Sequence, residues 1–533
     1  MLGAMQDWEL RVSELIDHAA REHGAREIVT RWNDGNDTRT TWAGIRRDAL
    51  KMVQALQRLG IAPGDRVATL AMNHAPHLVT WYGATGAGAV LHTINPRLFD
   101  EQLEFIANHA EDRVMLYDAV FQPIIDRMKP RWNSIEHYIC FDTGEHAPLF
   151  GDWIGAEDGN AQWVQGSERD PCMLCYTSGT TGNPKGVLFE HRSNILHTIS
   201  ALAPQCLNLD SRACVLPVVP MFHANDWAFP WAAAAVGAKL VYCSNNEAAN
   251  LCDLIAQETV NYVAGVPTVW LSLFQHLDAA GETLPASVTN AVCGGSAMPR
   301  AIIERLVRAN VRIAHAWGMT ETSPIATIAY EPEDWDELSF DEKVSLKAHQ
   351  GKPLFGVELR TVDLGDPDKE LPRDGKTSGA LQVRGPWVIK RYFKAEADAV
   401  VAGQWFDTGD VAVIFPDGTL QLTDRTKDVI KSGGEWISSV ELENAAVAHP
   451  AVAEAAAIGV QHPKWDERPI LVVVRKPGMD VSADELKQLL AQKLAKWWLP
   501  DAVEFVDSIP HTATGKISKK DLREQFRDYR LAE

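Results

Sequence analysis

The sequence has little of three things: basic charge, patterned cysteine and long apolar runs. Its 533 residues contain 51 lysines and arginines against 71 aspartates and glutamates, which gives a formal net charge of -20. So large an acidic excess opposes non-specific contact with nucleic acid or with an anionic membrane surface. We therefore expect no nucleic-acid partner, and we expect local cations and backbone amides to hold any bound polyphosphate.

The eight cysteines show no framework pattern. Cys172 and Cys175 have the Cys-x-x-Cys spacing, but a zinc site would need a second such pair, which the sequence lacks. A redox pair is the alternative, and two half-buried strand cysteines are the simpler interpretation. Scattered cysteines of this kind are usual in a reducing compartment, so we expect a cytoplasmic protein.

The distribution of apolar and basic residues also predicts no leader peptide and no membrane segment. The first residues show no basic region followed by an apolar one, which predicts no signal peptide. The longest apolar stretch, 227–243, is interrupted by Pro230, Gly237 and Lys239, and it is too short to span a bilayer. We expect no integral membrane segment, and the length predicts about three or four domains' worth of globular core.

The most informative stretch, 176–187, reads Tyr-Thr-Ser-Gly-Thr-Thr-Gly-Asn-Pro-Lys-Gly-Val. Glycines let backbone amides approach an anion, hydroxyls add donors, and Lys185 adds a positive charge. The apolar residues before it predict a strand that leads into a phosphate-binding loop, although the loop is not a Walker A sequence. A plain surface turn is the alternative. The predicted phosphate-binding residues are Thr177, Ser178, Gly179, Thr180, Thr181, Gly182 and Lys185.

This loop closely resembles the signature loop of the adenylate-forming superfamily, which includes acyl-CoA synthetases, peptide-synthetase adenylation domains and luciferases. Further motifs of that family follow in the same order, so the resemblance covers nearly the whole chain. It implies an α/β fold with a large N-terminal adenylate-forming domain of several subdomains, 1–426. A small mobile α+β C-terminal domain, 427–533, is implied after it. Alternating helix and strand patterns before the loop agree with a layered α/β domain.

Local patterns place several helices. Thr40 and Thr41 can cap a helix that follows them, and Ser482 has the capping-box pattern of another helix. Small residues from Trp81 to Val90 predict a further helix. We interpret its glycines as a sign of close helix packing rather than of nucleotide binding.

An apolar motif, Pro-Met-Phe-His-Ala-Asn-Asp-Trp, occupies 220–227. An imidazole among bulky apolar side chains suits the wall of an apolar pocket, whereas a core histidine and tryptophan are the alternative. In the family a His-bearing motif lines the acyl site here. The resemblance is nearest to medium- and long-chain fatty acyl-CoA synthetases, in which a tryptophan at this position is similar to a gate on the acyl tunnel. It implies that the acid contacts Phe222, His223, Trp227, Gly294 and Gly295.

Two loops that follow predicted strands carry nucleotide chemistry. Adjacent glycines at 294–295 allow a ligand close to the backbone. In Trp-Gly-Met-Thr-Glu-Thr at 317–322, Trp317 offers a stacking face, Thr320 a hydroxyl, and Glu321 a hard oxygen ligand for Mg²⁺. The family usually has tyrosine where this chain has Trp317, so stacking is retained but a phenol hydrogen bond is not. The implied nucleotide-binding residues are Gly295, Ser296, Ala297, Ala316, Trp317, Gly318, Met319 and Thr320, and the implied Mg²⁺ ligands are Thr180 and Glu321.

The C-terminal part supplies the remaining candidate residues. Asp410 can accept hydrogen bonds from ribose hydroxyls and Arg425 can donate to the ribose or a phosphate, although charged hairpin residues are often simply solvated. The family places its hinge at Lys427, and glycines after Lys431 suit a channel for the pantetheine arm of coenzyme A. Lys516 matches the family's catalytic lysine. The implied cofactor-binding residues here are Asp410, Arg425, Lys427, Gly433, Gly434, Trp436 and Lys516.

The resemblance implies an AMP-forming acid:CoA ligase that uses ATP, Mg²⁺ and coenzyme A, with Thr320, Glu321, Lys431 and Lys516 as catalytic residues. A carboxylic acid, by resemblance a medium- or long-chain fatty acid, would become an acyl-adenylate and then a thioester. A short thioether or arylalkyl acid is the alternative substrate. An acyl-AMP ligase that loads a carrier protein, a nucleotide sensor without turnover and a luciferase-type oxidase are the alternative functions. The family also leads us to expect a homodimer.

Overall fold

The computed structural model of the chain describes residues 3–177, 183–433, 435–511 and 517–531, apart from the side chains of Asn225 and Glu435. The chain divides into two compact units, of which the first is Met1–Glu358 with Arg384–Phe406 and the second is Leu359–Val383 with Asp407–Glu533. Seven predicted site residues lie outside the described residues, namely Ser178, Gly179, Thr180, Thr181, Gly182, Gly434 and Lys516.

The first unit alternates helices and strands over most of its length. Its α-helices are α1 Ser13–Glu22, α2 Trp42–Arg58, α3 Ala75–Gly86, α4 Asp100–Ala110, α5 Gln122–Met128, α6 Phe150–Gly155, α7 His191–Ala201, α8 Phe229–Val236, α9 Ala248–Gln257, α10 Pro267–Ala280, α11 Arg300–Arg308 and α12 Phe340–Ala348. Its first strands are β1 Glu27–Arg31, β2 Asp37–Thr41, β3 Arg66–Leu70, β4 Val90–Thr93, β5 Asp112–Tyr117, β6 His137–Cys140, β7 Pro171–Tyr176 and β8 Gly186–Glu190. The strands that follow are β9 Cys214–Pro217, β10 Lys239–Cys243, β11 Tyr262–Ala264, β12 Asn290–Cys293, β13 Arg312–Gly318, β14 Ile325–Ala329 and β15 Lys352–Pro353.

These strands form two largely parallel sheets. The six-stranded sheet has the order β6-β5-β3-β4-β7-β8, and only β8 is antiparallel to its neighbour. The nine-stranded sheet has the order β15-β14-β13-β12-β11-β9-β10-β1-β2, and it is parallel from β13 to β1. Ligands of open α/β sheets bind at the carboxyl ends of such strands. The predicted nucleotide loops that follow β12 and β13 therefore lie at this kind of edge, and β7 is the strand that precedes the predicted phosphate loop in the sequence.

Capping signals located two helices correctly. The Thr41 hydroxyl accepts a hydrogen bond from the Gly44 amide at 3.2 Å and begins α2. The Ser482 hydroxyl accepts one from the Glu485 amide at 3.2 Å and begins a helix of the second unit. In both cases a side-chain oxygen satisfies an amide that has no partner within the helix, so the local sequence alone fixes the start.

The helix predicted over 81–90 was misplaced, because α3 begins at Ala75 and ends at Gly86. His74 caps it, with Nδ1 accepting from the His77 amide at 3.0 Å, and an imidazole cap is not among the usual signals. The interpretation of its glycines was right. A Cβ at Gly83 would lie 2.7 Å from the Met52 sulfur, and one at Gly86 would overlap the ring of Trp163.

The second unit contains two small sheets and three helices. Strands β16 Glu358–Val362, β17 Gly379–Arg384, β19 Trp405–Ile414 and β20 Leu420–Arg425 have most of their residues in this unit and belong to the first sheet. The short strand β18 Val400–Val401 belongs to the first unit, where it pairs with Trp405 and Phe406 at the start of β19. The other sheet has the order β22-β21-β24-β23, with β25 beside β24, and its strands are β21 Ile430–Ser432, β22 Glu435–Ile437, β23 Val452–His462, β24 Asp466–Arg475 and β25 Ala502–Phe505. The helices are α13 Ser439–Val447, α14 Ala483–Lys493 and α15 Lys519–Gln525.

All eight cysteines are free thiols. Cys172 and Cys175 are fully buried in β7 rather than half-buried, and residues three apart in a strand point to opposite faces of the sheet. Burial raises the pKa of Cys172 to about 12 and that of Cys175 to about 11. Both thiols therefore stay protonated at neutral pH, which is unsuitable for redox or nucleophilic chemistry.

Among the described residues, no helix has the length and apolar character needed to cross a membrane.

Candidate active site

The phosphate loop is held at its base by a β-hairpin. Strand β7 pairs antiparallel with β8, with Tyr176 opposite Gly186, and the Thr177 amide donates to the Lys185 carbonyl at 2.9 Å. The Tyr176 hydroxyl lies within hydrogen-bond distance of His109 Nδ1, at 2.6 Å. These contacts fix the two ends of the predicted loop, and they place Lys185 at the point where the chain returns to the sheet.

The predicted metal-binding carboxylate lies in a buried turn. Residues Thr320–Thr322 form one 3₁₀ turn after β13, and the side chain of Glu321 is almost fully enclosed. The Tyr392 hydroxyl donates to Glu321 Oε1 at 2.8 Å, and the Ile389 amide donates to the Glu321 carbonyl at 2.8 Å. The Lys185 ammonium lies 4.9 Å from the centroid of the Tyr392 ring. Tyr392 thus brings two predicted site residues together.

Sequence reasoning missed Tyr392, since it lies 71 residues from Glu321 and no motif pairs the two. Burial and the neighbouring Glu321 carboxylate raise the pKa of Tyr392 well above the usual value for a phenol. The phenol therefore keeps its proton across the working pH range and remains a hydrogen-bond donor to Glu321.

The donor set at Glu321 fits Mg²⁺. This ion is usually bound by one or two carboxylates together with substrate phosphates, not by a complete cage of protein ligands. Glu321 supplies one oriented carboxylate close to the hairpin that carries the phosphate loop. The described residues contain no group of three His, Cys, Asp or Glu side chains that could hold a metal by themselves. We conclude that Glu321 suits an ion that arrives with a polyphosphate.

The two predicted nucleotide loops follow adjacent strands. β12 and β13 are parallel neighbours, with Cys293 opposite His315, so Gly294 lies directly beside Ala316. A Cβ at Gly294 would lie 2.9 Å from the Ala316 carbonyl oxygen, which explains why this position needs glycine. Gly295 has a φ of +79°, in the left-handed region that favours glycine. The residues that follow β12 are exposed, namely Gly295, Ser296 and Ala297.

The second loop turns sharply at Gly318, where a Cβ would overlap the Pro324 carbonyl oxygen. The Met319 amide donates to the Thr322 hydroxyl at 2.9 Å and closes the turn. Trp317 is 6% exposed, so most of its side chain is covered by protein. The predicted residues Ala316, Trp317 and Gly318 thus end β13, and Met319 and Thr320 follow them directly. Gly294 and Gly295 follow the neighbouring strand β12.

The predicted acyl wall adjoins this strand end. The Trp227 ring lies beside the loop that follows β12. A Cβ at Gly294 would lie 3.3 Å from this ring, and one at Gly295 would lie 3.9 Å from it. Phe222 is buried and His223 is half-buried. The structure therefore brings Trp227, Gly294 and Gly295 together.

Asn73 holds the segment that leads to this wall, and sequence reasoning missed it because no motif marks the position. Its side-chain amide donates to the carbonyls of Pro217 and Val219 at 2.9 and 2.7 Å and accepts from the Met221 amide at 2.7 Å. The side chain is 2% exposed, so water cannot replace these bonds. One buried amide thus satisfies three backbone groups immediately before Phe222.

The turn that carries Trp227 has an unusual backbone. Ala224, Asp226, Trp227 and Ala228 all have φ between +45° and +70°, although none is glycine. Asp226 is fully buried, and neither carboxyl oxygen has a hydrogen-bond partner among the described residues. Burial raises the pKa of this carboxyl well above its usual value, because removal from water disfavours the charged form. Non-glycine residues in this region are strained and cluster at ligand sites.

The second unit contains the predicted ribose-binding pair. Asp410 lies opposite Arg425 in the β19–β20 hairpin, and the guanidinium Nε contacts Asp410 Oδ1 at 2.7 Å. The Asp410 side chain is 4% exposed and that of Arg425 is 49% exposed. The carboxylate is therefore held in place by a partner that still reaches solvent, and Lys427, two residues further on, is exposed.

The predicted coenzyme A residues lie on the next hairpin. Lys431 is opposite Trp436 in the β21–β22 pair, and its ammonium lies 5.9 Å from the centroid of the Trp436 ring. Trp436 is 41% exposed. Gly433 has a φ of +61°, and a Cβ there would lie 3.0 Å from the Trp465 ring. The turn therefore needs glycine at 433, and it presents an aromatic face and a cation to solvent.

The chain is similar to known proteins in sequence and in fold. The chain matches the AMP-binding enzyme family over residues 16–393 and the AMP-binding enzyme C-terminal domain over residues 441–516. It is 45% identical over 541 residues to the medium-chain-fatty-acid–CoA ligase of Ectopseudomonas oleovorans, covering 100% of this chain and 98% of that protein. It is 46% identical over 540 residues to the 3-methylmercaptopropionyl-CoA ligase of Ruegeria pomeroyi, covering 99% of both. The crystal structure of the anthranilate CoA ligase AuaEII with anthranoyl-AMP is similar, with a TM-score of 0.85, 25% identity and 98% coverage of both chains.

Replacement of Asn73 tests its role in holding the acyl wall. We expect Asn73→Ala to lower the free energy of unfolding by about 2–4 kcal/mol, because three buried backbone groups lose their partner. Chemical denaturation followed by tryptophan fluorescence measures this change. Asn36→Ala is the control, since it removes an exposed side-chain amide that bonds locally with Asp34. We expect its free energy of unfolding to stay within about 0.5 kcal/mol of that of the parent. Equal effects of the two substitutions would contradict the assignment.

Replacement of Gly294 tests the close contact between the loop, Ala316 and Trp227. We expect Gly294→Ala to lower the free energy of unfolding by about 1–3 kcal/mol, because the added methyl group has no room. Gly151→Ala is the matched control, since a Cβ at that helical position meets nothing within 4 Å. The same denaturation assay compares the two variants, and a Gly294→Ala protein as stable as the control would refute the close packing.

Proposed function

The chain belongs to the AMP-binding enzyme family, and we propose that it activates a medium- or long-chain fatty acid. It is an AMP-forming acid:CoA ligase that uses ATP, Mg²⁺ and coenzyme A. The observation that carries the proposed substrate is the contact of Trp227 with Gly294 and Gly295, which sets a buried apolar wall directly beside the nucleotide loops. The medium-chain specificity of the Ectopseudomonas oleovorans relative supports the same choice.

The first half-reaction joins two anions. The carboxylate of the acid attacks the α-phosphorus of ATP, the bond from that phosphorus to the bridging oxygen breaks, and pyrophosphate leaves. The carboxylate is already a nucleophile, so the protein needs no base. It needs positive charge and hydrogen-bond donors around the phosphates, and a preorganised donor at such a site contributes about 2.7–4 kcal/mol.

The described residues account for part of that requirement. We assign Glu321 to hold Mg²⁺, which would supply positive charge when bound with the nucleotide phosphates. Lys185 provides a further cation beside the phosphate loop, and Trp317 provides a face for the purine. Asp410 and Arg425 are assigned to the ribose and its phosphate. The assignments of Thr180 and the rest of the phosphate loop remain proposals drawn from the family motif.

The second half-reaction uses the thiol of coenzyme A. The thiol sulfur attacks the acyl carbon of the acyl-adenylate, the bond to the phosphate oxygen breaks, and AMP leaves. We assign Lys431, Gly433, Gly434 and Trp436 to the coenzyme A arm, with support from the exposed aromatic face and the cation on the β21–β22 hairpin. We also propose that a mobile domain, 427–533, turns about Lys427 between the two half-reactions.

A short thioether acid is the second candidate substrate. The 3-methylmercaptopropionyl-CoA ligase of Ruegeria pomeroyi favours this candidate. That protein is 46% identical to this chain, and the medium-chain-fatty-acid–CoA ligase is 45% identical to it. An apolar wall does not by itself separate these acids, because one methylene in such a pocket is worth only about 1–3 kcal/mol.

Two further expectations concern the oligomeric state and the cellular location. We propose a homodimer, which light scattering of the purified protein tests. We also propose a cytoplasmic location, which is supported by eight free thiols and no disulfide.

A panel of acids tests the substrate. We expect kcat/KM to be highest for medium or long straight-chain acids and lower for 3-methylmercaptopropionate and for arylalkyl acids, with AMP formation measured in the presence of ATP, Mg²⁺ and coenzyme A. A maximum at the thioether acid would select the second candidate. Activity with a carrier protein but not with coenzyme A would contradict the acceptor, and absence of AMP with every acid would refute the function.

Lys516 tests the division of work between the half-reactions. We expect Lys516→Ala to lose adenylation, because a cation that neutralises the two reacting anions is removed, with a fall in rate of about 100-fold or more. Thioester formation from supplied acyl-adenylate is expected to persist. Lys520→Ala, at the start of α15, is the control for loss of a nearby positive charge. Equal loss of both half-reactions in Lys516→Ala would contradict the assignment.

A further inference from the structure

Tyr392 makes two contacts that no motif of the sequence predicts. Its hydroxyl donates to Glu321 Oε1 at 2.8 Å, and the Lys185 ammonium lies 4.9 Å from the centroid of its ring. One residue therefore contacts both the carboxylate assigned to Mg²⁺ and the cation assigned to the phosphates.

The backbone around Tyr392 is fixed on both sides. The Ile389 amide donates to the Glu321 carbonyl at 2.8 Å, and the Phe393 amide donates to the Gly186 carbonyl at 2.8 Å. The Ser323 hydroxyl donates to the Trp387 carbonyl at 2.7 Å. The segment is thus bonded to the Glu321 turn at one end and to the phosphate-loop hairpin at the other, so the Tyr392 ring has a defined position before any nucleotide binds.

We propose that Tyr392 is a positioning residue that orients the Glu321 carboxylate for Mg²⁺-bound ATP and holds the Lys185 ammonium beside the phosphate loop. The proposal rests on the roles assigned to Glu321 and Lys185 under the proposed function. It does not depend on which acid the enzyme activates.

The two contacts differ in their physical nature. The hydroxyl makes a charge-assisted hydrogen bond to a carboxylate, which limits rotation of a potential metal ligand. Loss of such an outer partner typically weakens metal binding about 10- to 100-fold. The ring face attracts an ammonium through its quadrupole, a weaker contact. Since a different part of the side chain makes each contact, two substitutions can separate them.

Tyr392→Phe removes the hydroxyl and keeps the ring. ATP binding is measured by calorimetry, first in the presence of a chelator and then during a Mg²⁺ titration, with no acid or coenzyme A present. We expect the affinity for ATP in the presence of the chelator to be unchanged. The Mg²⁺ midpoint, which is the Mg²⁺ concentration that gives half of the metal-dependent gain in ATP affinity, is expected to rise about 10- to 100-fold. A purely structural role would alter the melting temperature without changing the Mg²⁺ midpoint.

Tyr392→Leu also removes the ring. We expect ATP affinity in the chelator to fall about two- to fivefold, because Lys185 loses the contact that holds it in place. Should this variant fail to fold, Tyr392→Phe alone still decides the role of the hydroxyl.

Tyr138→Phe is the matched control. The Lys129 ammonium lies 4.7 Å from the Tyr138 ring centroid, as at Tyr392, but the Tyr138 hydroxyl has no hydrogen-bond partner among the described residues. We expect this variant to bind Mg²⁺-ATP like the parent.

A Mg²⁺ midpoint in Tyr392→Phe equal to that of the parent, in protein with an unchanged melting temperature, would overturn the proposal. An equal shift in Tyr138→Phe would also overturn it. Failure of the proposed function is seen separately, since a parent protein that forms no AMP with any acid can still be titrated with ATP and Mg²⁺.

Discussion

The chemistry of this protein depends on a local solution to an electrostatic problem. A carboxylate and a polyphosphate have to approach one another inside a chain with a formal net charge of -20. Positive charge is therefore required locally, and we assign Glu321 to the metal and Lys185 to the phosphates. Tyr392 contacts both groups, each with a different part of one side chain.

The parallel sheet explains why the functional loops meet. β12 and β13 are adjacent, so the residues that follow them emerge at one edge, and glycines at 294 and 318 allow an approach that a Cβ would block. The acyl wall reaches the same edge through the ring of Trp227. Under the assignments that we propose, nucleotide and acid are recognised by neighbouring parts of one scaffold, and catalysis gains from correct placement of the reacting groups.

The sequence can indicate features whose residues are close together in the chain. Trp317, Thr320 and Glu321 fall within one motif at 317–322, so they were proposed together, and capping residues such as Thr41 and Ser482 act within four residues of themselves. Tyr392 and Asn73 were missed because their partners are 71 and about 145 residues away and no periodic pattern records such pairs. The helix expected over 81–90 was misplaced because His74 sets its start, and an imidazole cap is hard to recognise without tertiary context. The roles of Lys427, Lys431 and Lys516 still rest on resemblance.

In the acyl site that we propose, the closeness of Trp227 to Gly294 and Gly295 constrains how the substrate could change during evolution. A larger residue at 294 would collide with the indole, and a smaller residue at 227 would leave the neighbouring glycines facing an empty space. The turn that carries Trp227 also has positive φ angles at residues other than glycine, a strained backbone conformation. We therefore expect single substitutions at either position to be less well tolerated than paired ones. Divergence in chain-length preference should accordingly leave a record of correlated replacements at 227, 294 and 295.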